Sequence, residues 1–325
     1  VTLQAFQAQL LFQQQPTDTT AGQAISPAVT VAIVDPATGT PIAFDNSDTI
    51  TLSIGNNPGG GTLSGTLTQT ASSGVATFGN LSIDKAGSGY TLAAISAGLT
   101  AVTSAAFAIN HAAADHLVFL QQPTNTTAGQ TINPSGGVTV EIVDQFNNLL
   151  ADDNTDTVTV AIGNNPGGGT LSGTLSQPVA GGIATFADLS IDKAGSGYTL
   201  AATGPGSTAG TSSSFAINPA AAHHLVFLQA PTDTAAGQVM SPAVVIAVVD
   251  QFGNVVTSDN TDTVTLSIGN NTSGGTLSGT LTVTVVNGRA TFSNLSINLA
   301  GTGYTLHATV GGGLPDIDSD PFNIT

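Results

Sequence analysis

Apolar and polar residues alternate along this chain in short bursts. Val29, Val31 and Ile33 are interleaved with Thr30, Ala32 and Val34, and Val138, Val140 and Ile142 with Thr139 and Glu141. A period of two with one apolar face marks a half-buried strand, because successive side chains on an extended backbone point to opposite sides. The same pattern predicts strands over Thr49–Ile54, Thr157–Ile162 and Thr263–Ile268. Each leads into an Asn- and Gly-rich loop segment, from Gly55 to Leu67, Gly163 to Leu175 and Gly269 to Leu281. Ala76-Thr77-Phe78, Ala184-Thr185-Phe186 and Ala290-Thr291-Phe292 then follow a turn. The clearest is Asn287-Gly288, where both residues tolerate positive φ and favour a two-residue hairpin. Past Leu81 and Ile83, Leu189 and Ile191, and Leu295 and Ile297, the chain reaches Gly-Tyr-Thr-Leu around Tyr90, Tyr198 and Tyr304. Closing strands are predicted around Phe107, Phe215 and Phe322. About seven short strands per hundred residues, with almost no helical period, predict an all-β sandwich.

The pattern is written three times. Leu10-Leu11-Phe12 with Pro16-Thr17-Asp18 recurs as Leu117-Val118-Phe119 with Pro123-Thr124-Asn125, and as Leu225-Val226-Phe227 with Pro231-Thr232-Asp233. A period of about 107 residues exceeds the roughly 20 to 50 of solenoid repeats, so each copy is a domain. The expected units are residues 1–110, 111–218 and 219–325, the first opening with an extension over 1–9. Linkers over 111–116 and 219–224 are short and carry Ala-Ala-Ala, with Pro219 in the second. Such linkers restrict their neighbours, so an extended, semi-rigid array is expected.

The run Val-Val-Asp-Gln-Phe-Gly-Asn at 248–254, the Gly-x-Leu-Ser-Gly segments, the Gly-x-Ala-Thr-Phe hairpins and the Gly-Tyr-Thr-Leu corners resemble bacterial immunoglobulin-like repeats of the invasin and intimin type. The resemblance covers nearly the whole chain, three times over. It implies three tandem immunoglobulin-like β-sandwich domains forming a rod or stalk of secreted surface or filament proteins, with adhesion or matrix roles. The lectin-like head of some invasins has no counterpart in this sequence. The glycine before each tyrosine resembles the approach to a tyrosine corner, in which the phenol bonds back to upstream backbone. Leu92, Leu200 and Leu306 stand two residues after the tyrosine, where antibody domains carry a cysteine. Burial of leucine is expected to replace the bridge, because a sandwich of roughly 100 residues buries about 65% of its unfolded surface.

Charge narrows the function. The chain of 325 residues carries 20 acidic and 3 basic side chains, a formal net charge of −17. With Lys85, Lys193 and Arg289 far apart, no basic field exists to attract nucleic acid or an anionic membrane. No run of about 18 apolar residues predicts membrane insertion, and the chain as given is expected to carry no export signal of its own, which leaves open one already removed. There is no Cys, so packing and hydrogen bonds must hold the fold.

Candidate chemistry is sparse. Asp35, Asp144 and Asp250 each end a strand before a turn, and Asp-Asn-x-Asp recurs with Asp45 and Asp48, Asp153 and Asp156, and Asp259 and Asp262. These carboxylates admit two readings: turn-setting bonds to local N–H groups, or calcium held between both segments, since Ca²⁺ takes six to eight oxygen ligands. Asp316, Asp318 and Asp320 occur in the third unit alone and, on an extended strand, would share one side, as a frayed terminus, a cation site or a docking contact. His111, His116, His223 and His224 gather at the linkers and read as solvated linker residues. His307 lies alone on a strand. Asn80, Asn125, Asn270, Asn271, Asn294 and Asn323 fit Asn-x-Ser/Thr, a match that arises by chance in a chain this rich in Ser and Thr, and become candidate glycan acceptors in a glycosylating host. The loops Pro58-Gly59-Gly60-Gly61 and Pro166-Gly167-Gly168-Gly169 lack the Gly-Lys-Ser/Thr ending of a phosphate cradle. The single Glu, Glu141, sits where the sister units have Ala32 and Ala247, on the strand's predicted polar face, and no His recurs beside a Ser or Asp at one unit position. No catalytic group and no cofactor beyond calcium are expected.

Sheet edges carry almost no Lys, which elsewhere repels foreign strands. Self-association is therefore expected, and Val1, Leu3 and Ala5, on one face of an extended prefix, are candidates for a donated strand. An extracellular structural subunit or stalk of a fibre, sheath or surface layer, joined by end-to-end or edge contacts, is the leading expectation. A monomeric adhesin stalk presenting a domain outside this chain is the alternative. A carbohydrate-binding accessory module is the third reading, weakened by the absence of Trp and by tyrosines spent on the fold.

Overall fold

The structure, a computed structural model, describes residues 8–325; Val1, Leu3 and Ala5 lie outside the described residues. Strand Gln9–Gln14 pairs antiparallel with Val29–Val34, which pairs in turn with Val75–Phe78. A second sheet runs in the order Val102–Thr103, Leu92–Ile95, Thr49–Ile54, Thr68–Thr70. The alternation decides which residues meet between them. Val29, Val31 and Ile33 from one sheet and Ile50, Leu52, Leu92 and Ala94 from the other are at most 1% exposed and share one core cluster. A third small sheet closes the unit, with Thr19–Thr20 parallel to Phe107–Asn110 and Gly87–Tyr90 antiparallel to it.

The arrangement repeats. Separate core clusters run from Leu10 to Ile109, from Leu117 to Ile217 and from Leu225 to Ile324. No helix occurs among the described residues. The chain is an all-β array of three tandem immunoglobulin-like sandwiches. Each tyrosine is buried and closes its corner: Tyr90 donates to the Lys85 carbonyl at 2.8 Å, Tyr198 to Lys193 at 2.8 Å and Tyr304 to Leu299 at 2.9 Å. Leu92, Leu200 and Leu306 are fully buried beside them. The hairpin turn at Asn287 and Gly288 has φ of 48° and 73°, and Ser73-Gly74 and Gly181-Gly182 adopt the same left-handed pair.

One expectation needs correction. The strand face bearing Ala32 and Ala247 is not a solvated polar face, since both residues are fully buried. Each is flanked in register by larger side chains, Leu11 and Val75 around Ala32, and Val226 and Arg289 around Ala247. A methyl group between two such neighbours is screened from water on the outer side of the sheet. Glu141 occupies that slot in the second unit, between Val118 and Ile183, and burial pushes its carboxyl up.

Candidate functional site at the inter-unit junctions

The side chains that bridge units come from the turn after the central strand and from the loop before the tyrosine corner. In the second unit, Asp144 ends its strand and folds the following residues around its own carboxylate. Oδ1 accepts from the N–H groups of Phe146 at 2.8 Å and Asn148 at 2.9 Å, and Oδ2 from the Asn148 amide at 2.9 Å. This is the turn-setting role of Asp, made rigid by complete burial. Oδ2 also accepts from Ala112 N–H of the linker at 2.8 Å, tying the turn to the chain arriving from the first unit. Burial alone would raise the Asp144 carboxyl, but these donors outweigh it and hold the group below its usual range.

The turn so formed plugs into the first unit. The Phe146 ring packs against the first unit's core. It lies over Gly22, where a methyl group would sit 2.3 Å from the ring carbon Cζ, so only glycine leaves room. Lys85 Nζ donates to the Phe146 carbonyl. Asn148 makes a two-way contact, accepting from Ala86 N–H at 3.0 Å and donating to the Asp84 carbonyl at 2.9 Å. An amide side chain that both donates to and accepts from one backbone segment fixes orientation as well as distance.

The second junction repeats this with different residues. Asp250 is buried and accepts from Phe252, Asn254 and, across the linker, Ala220 at 2.8 Å. Its carboxyl is likewise held down, the same donors outweighing burial. Phe252 packs on the second unit's core over Gly129, with the same 2.3 Å clearance. Lys193 Nζ donates to the Phe252 carbonyl, Ala194 N–H donates to Asn254 at 2.9 Å, and Asn254 donates to the Asp192 carbonyl at 2.8 Å. Two of the chain's three cations thus serve the junctions.

The predicted calcium carboxylates are placed by the same logic. Asp35 accepts from Ala37 N–H at 2.8 Å; Asp45 from Ser47 and Asp48, Asp153 from Thr155 and Asp156, and Asp259 from Thr261 and Asp262. The backbone carbonyls of Asp48, Asp156 and Asp262 accept from Ala71, Val179 and Val285. Asp259 Oδ2 is enclosed without a hydrogen-bond partner. Among the described residues, no group of three or more acidic or histidine side chains converges as a metal holder.

The linker histidines are not simply solvated. His111 contacts Asp152 of the second unit through Nε2 and the Ala112 carbonyl through Nδ1. Burial lowers its pKa, but the Ala112 bond and the Asp152 and Asp144 carboxylates outweigh that and raise it. His116 meets Asp115 and Asn147, and His223 stacks edge-on against His224. Nor is His307 alone. Asp318, on the short strand Ile317–Asp318 paired across from it, lies 2.8 Å from its Nδ1, and Asp316, just before that strand, 3.7 Å from its Nε2. Asp320 is exposed and its backbone carbonyl accepts from Ser319.

Most of the glycan-motif amides are occupied. Nδ2 of Asn80, Asn270, Asn271, Asn294 and Asn323 donates to Thr66, Gly303, Gly275, Thr280 and Asp233 respectively, while Asn125 accepts from Ala216 through Oδ1. No helix among the described residues is long and apolar enough to cross a membrane.

Reading the sequence as turns missed the plug and socket. A signal was present: Phe and Asn of Asp-Gln-Phe-x-Asn occur in the second and third units but not in the first, and Asp-Lys occurs in the first and second but not in the third. Those are the poles that face each other at the two junctions.

No family model matches the chain, and no curated protein matches it. Among solved structures it is similar to invasin, described as a bacterial integrin-binding protein, at 16% identity and a TM-score of 0.33, over 96% of this chain and 59% of that one. It is similar to the D0-D1 domain of intimin at 17% identity and a TM-score of 0.23, over 64% and 96%. Similarity to domains 1–6 of the surface layer protein SbsC is 15% identity with a TM-score of 0.28, over 98% and 40%. The chain therefore spans 59% of the invasin structure and 40% of the SbsC structure it matches. The immunoglobulin-like architecture rests on the chain's own sheets, cores and tyrosine corners.

Proposed function

We propose that this chain is an extracellular structural protein, a stiffened stalk or subunit of a cell-surface fibre, sheath or surface layer. The observation that carries the reading is the repeated junction, in which each Asp-Gln-Phe-x-Asn turn enters the preceding unit. Short linkers alone limit rotation, and a plug with an aromatic anchor and three polar bonds on each joint limits it further. Stiffness is what a spacer needs, because a stiff array holds its ends apart without paying conformational entropy at each joint. A sugar-stacking role loses all three tyrosines, which are buried with their hydroxyls bonded inward, and among the described residues is left with Phe44 as its strongly exposed ring.

Small-angle scattering from the full chain and from the Phe146→Ala/Phe252→Ala double variant tests the reading. The parent is expected to give the distance distribution of a stiff rod, and the variant a shorter and broader one with each unit still folded. Identical distributions would remove the junctions as the source of stiffness and the proposal with them.

A further inference from the structure

The third unit carries its own copy of the socket. Gly237 stands where Gly22 and Gly129 stand, with φ of 75°, and its N–H donates to Ile297 at 2.8 Å as theirs do to Ile83 and Ile191. A methyl group on Gly237 would meet nothing within 4 Å, whereas Gly22 and Gly129 each lie under a phenylalanine ring. Asn298 replaces Asp84 and Asp192 yet keeps their loop bond, accepting from Thr276 N–H at 2.8 Å. Leu299 replaces the lysines and is 46% exposed. The pole has thus kept the socket's backbone and lost both of its charges.

We propose that this pole is a docking site for the Asp-Gln-Phe-x-Asn turn of a further immunoglobulin-like unit held to it by a short linker. The backbone of the Asn298-Leu299-Ala300 loop offers the same carbonyl and N–H that Asn148 and Asn254 use at the other sockets. Gly237 leaves space for the ring, and Leu299 supplies apolar cover in place of the ammonium. The occupant follows from the chemistry of the two filled sockets in the same molecule. A second copy docking through its first unit fits poorly, because there Ala37 stands in place of the phenylalanine, and the Asp35 N–H donates to the Thr40 carbonyl where Asp144 and Asp250 donate to that of the asparagine. At the internal junctions the linker keeps the plug at high local concentration, which a joined unit shares.

The inference rests on the stiff-array reading, and one experiment separates the two. The full chain is extended after Thr325 by a second copy of residues 219–325, and amide hydrogen exchange is followed at Ala86, Ala194 and Ala300. Docking is expected to slow Ala300 about tenfold or more relative to the unextended chain. Phe252→Ala in the added copy, or Gly237→Asn, which tolerates positive φ and fills the socket, should restore the fast rate. Leu299→Lys should slow exchange further by restoring the bond to the phenylalanine carbonyl. If Ala300 stays fast while Ala86 and Ala194 are protected, the docking site is overturned and the array reading stands. If all three are fast, the array reading itself fails. Concentration-dependent protection of Ala300 in the unextended chain, abolished by Phe44→Asp at the exposed first pole, would assign the socket to a second copy and overturn this inference.

Discussion

The two internal junctions share a plug and differ in the linker that reaches it. At the first, His111 follows Asn110 and meets Asp152. At the second, Pro219 follows Asn218, and Ser258 holds the place of Asp152. The ring over glycine, the lysine and the two-way asparagine are common to both. The lesson is that the joint's specificity resides in the plug, and the linker only trims it: one joint has a proton-dependent clasp, the other a fixed φ.

The comparison can be broken most forcefully at the carboxylate both joints depend on. Asp144→Ala and Asp250→Ala each leave several buried N–H groups without an acceptor, and the expected loss is on the order of 3 kcal/mol at either joint. Chemical denaturation of the full chain measures it. Equal losses support a shared plug, and a large inequality would mean the linkers matter more than the turns. Wild-type protein offers a gentler form of the same test. Both carboxyls titrate below their unfolded value of about 3.9, so their stabilisation is present above that pH and fades as pH falls through the lower folded values. Acid below about pH 4 should loosen both joints alike.

A smaller effect is expected from the lysines. Lys85→Met and Lys193→Met keep the stem and delete one charged donor to a carbonyl, at a cost of about 1 to 2 kcal/mol per joint. Exchange at Ala86 and Ala194 should rise while the unit cores stay protected, and core exposure instead would show that the lysines support their own domains.

The smallest effect separates the joints. The His111 pKa is raised in the folded chain, so its contribution is complete below about pH 6.5 and is lost as pH rises through the folded value. Asp152 is open to water, and screening holds the contribution to a few tenths of a kcal/mol. Nuclear magnetic resonance line widths between pH 5.5 and 8 should broaden at Ala112 and Asp152, which His111 contacts in the first joint, and stay level at Ala220 and Ser258, the matching positions of the second. His111→Pro should erase that difference.

Much of the fold is legible along the chain. Alternation at Val29–Ile33 places the core face, Asn287-Gly288 marks the hairpin, and the repeated tyrosine with the leucine two residues later marks the corner. The junction was legible only as a turn. Asp144 looks the same whether it bonds two local amides or also gathers Ala112, and Lys85 says nothing of a carbonyl 61 residues away. His307 with Asp318 is a similar case, since pairing across strands brings together residues that sequence spacing keeps apart.

By itself the sequence determined the strand set, the three separate cores, the absence of a basic surface and the identity of each turn. These follow from local rules, the pleat and the tolerance of Gly, Asn and Asp for special backbone angles. Tertiary structure alone decided that the turn at Phe146 leaves its own unit and becomes the neighbour's missing piece. That outcome depends on which backbone groups remain unpaired at the facing pole and on whether a glycine leaves room for a ring, and both are fixed only once each sandwich has closed.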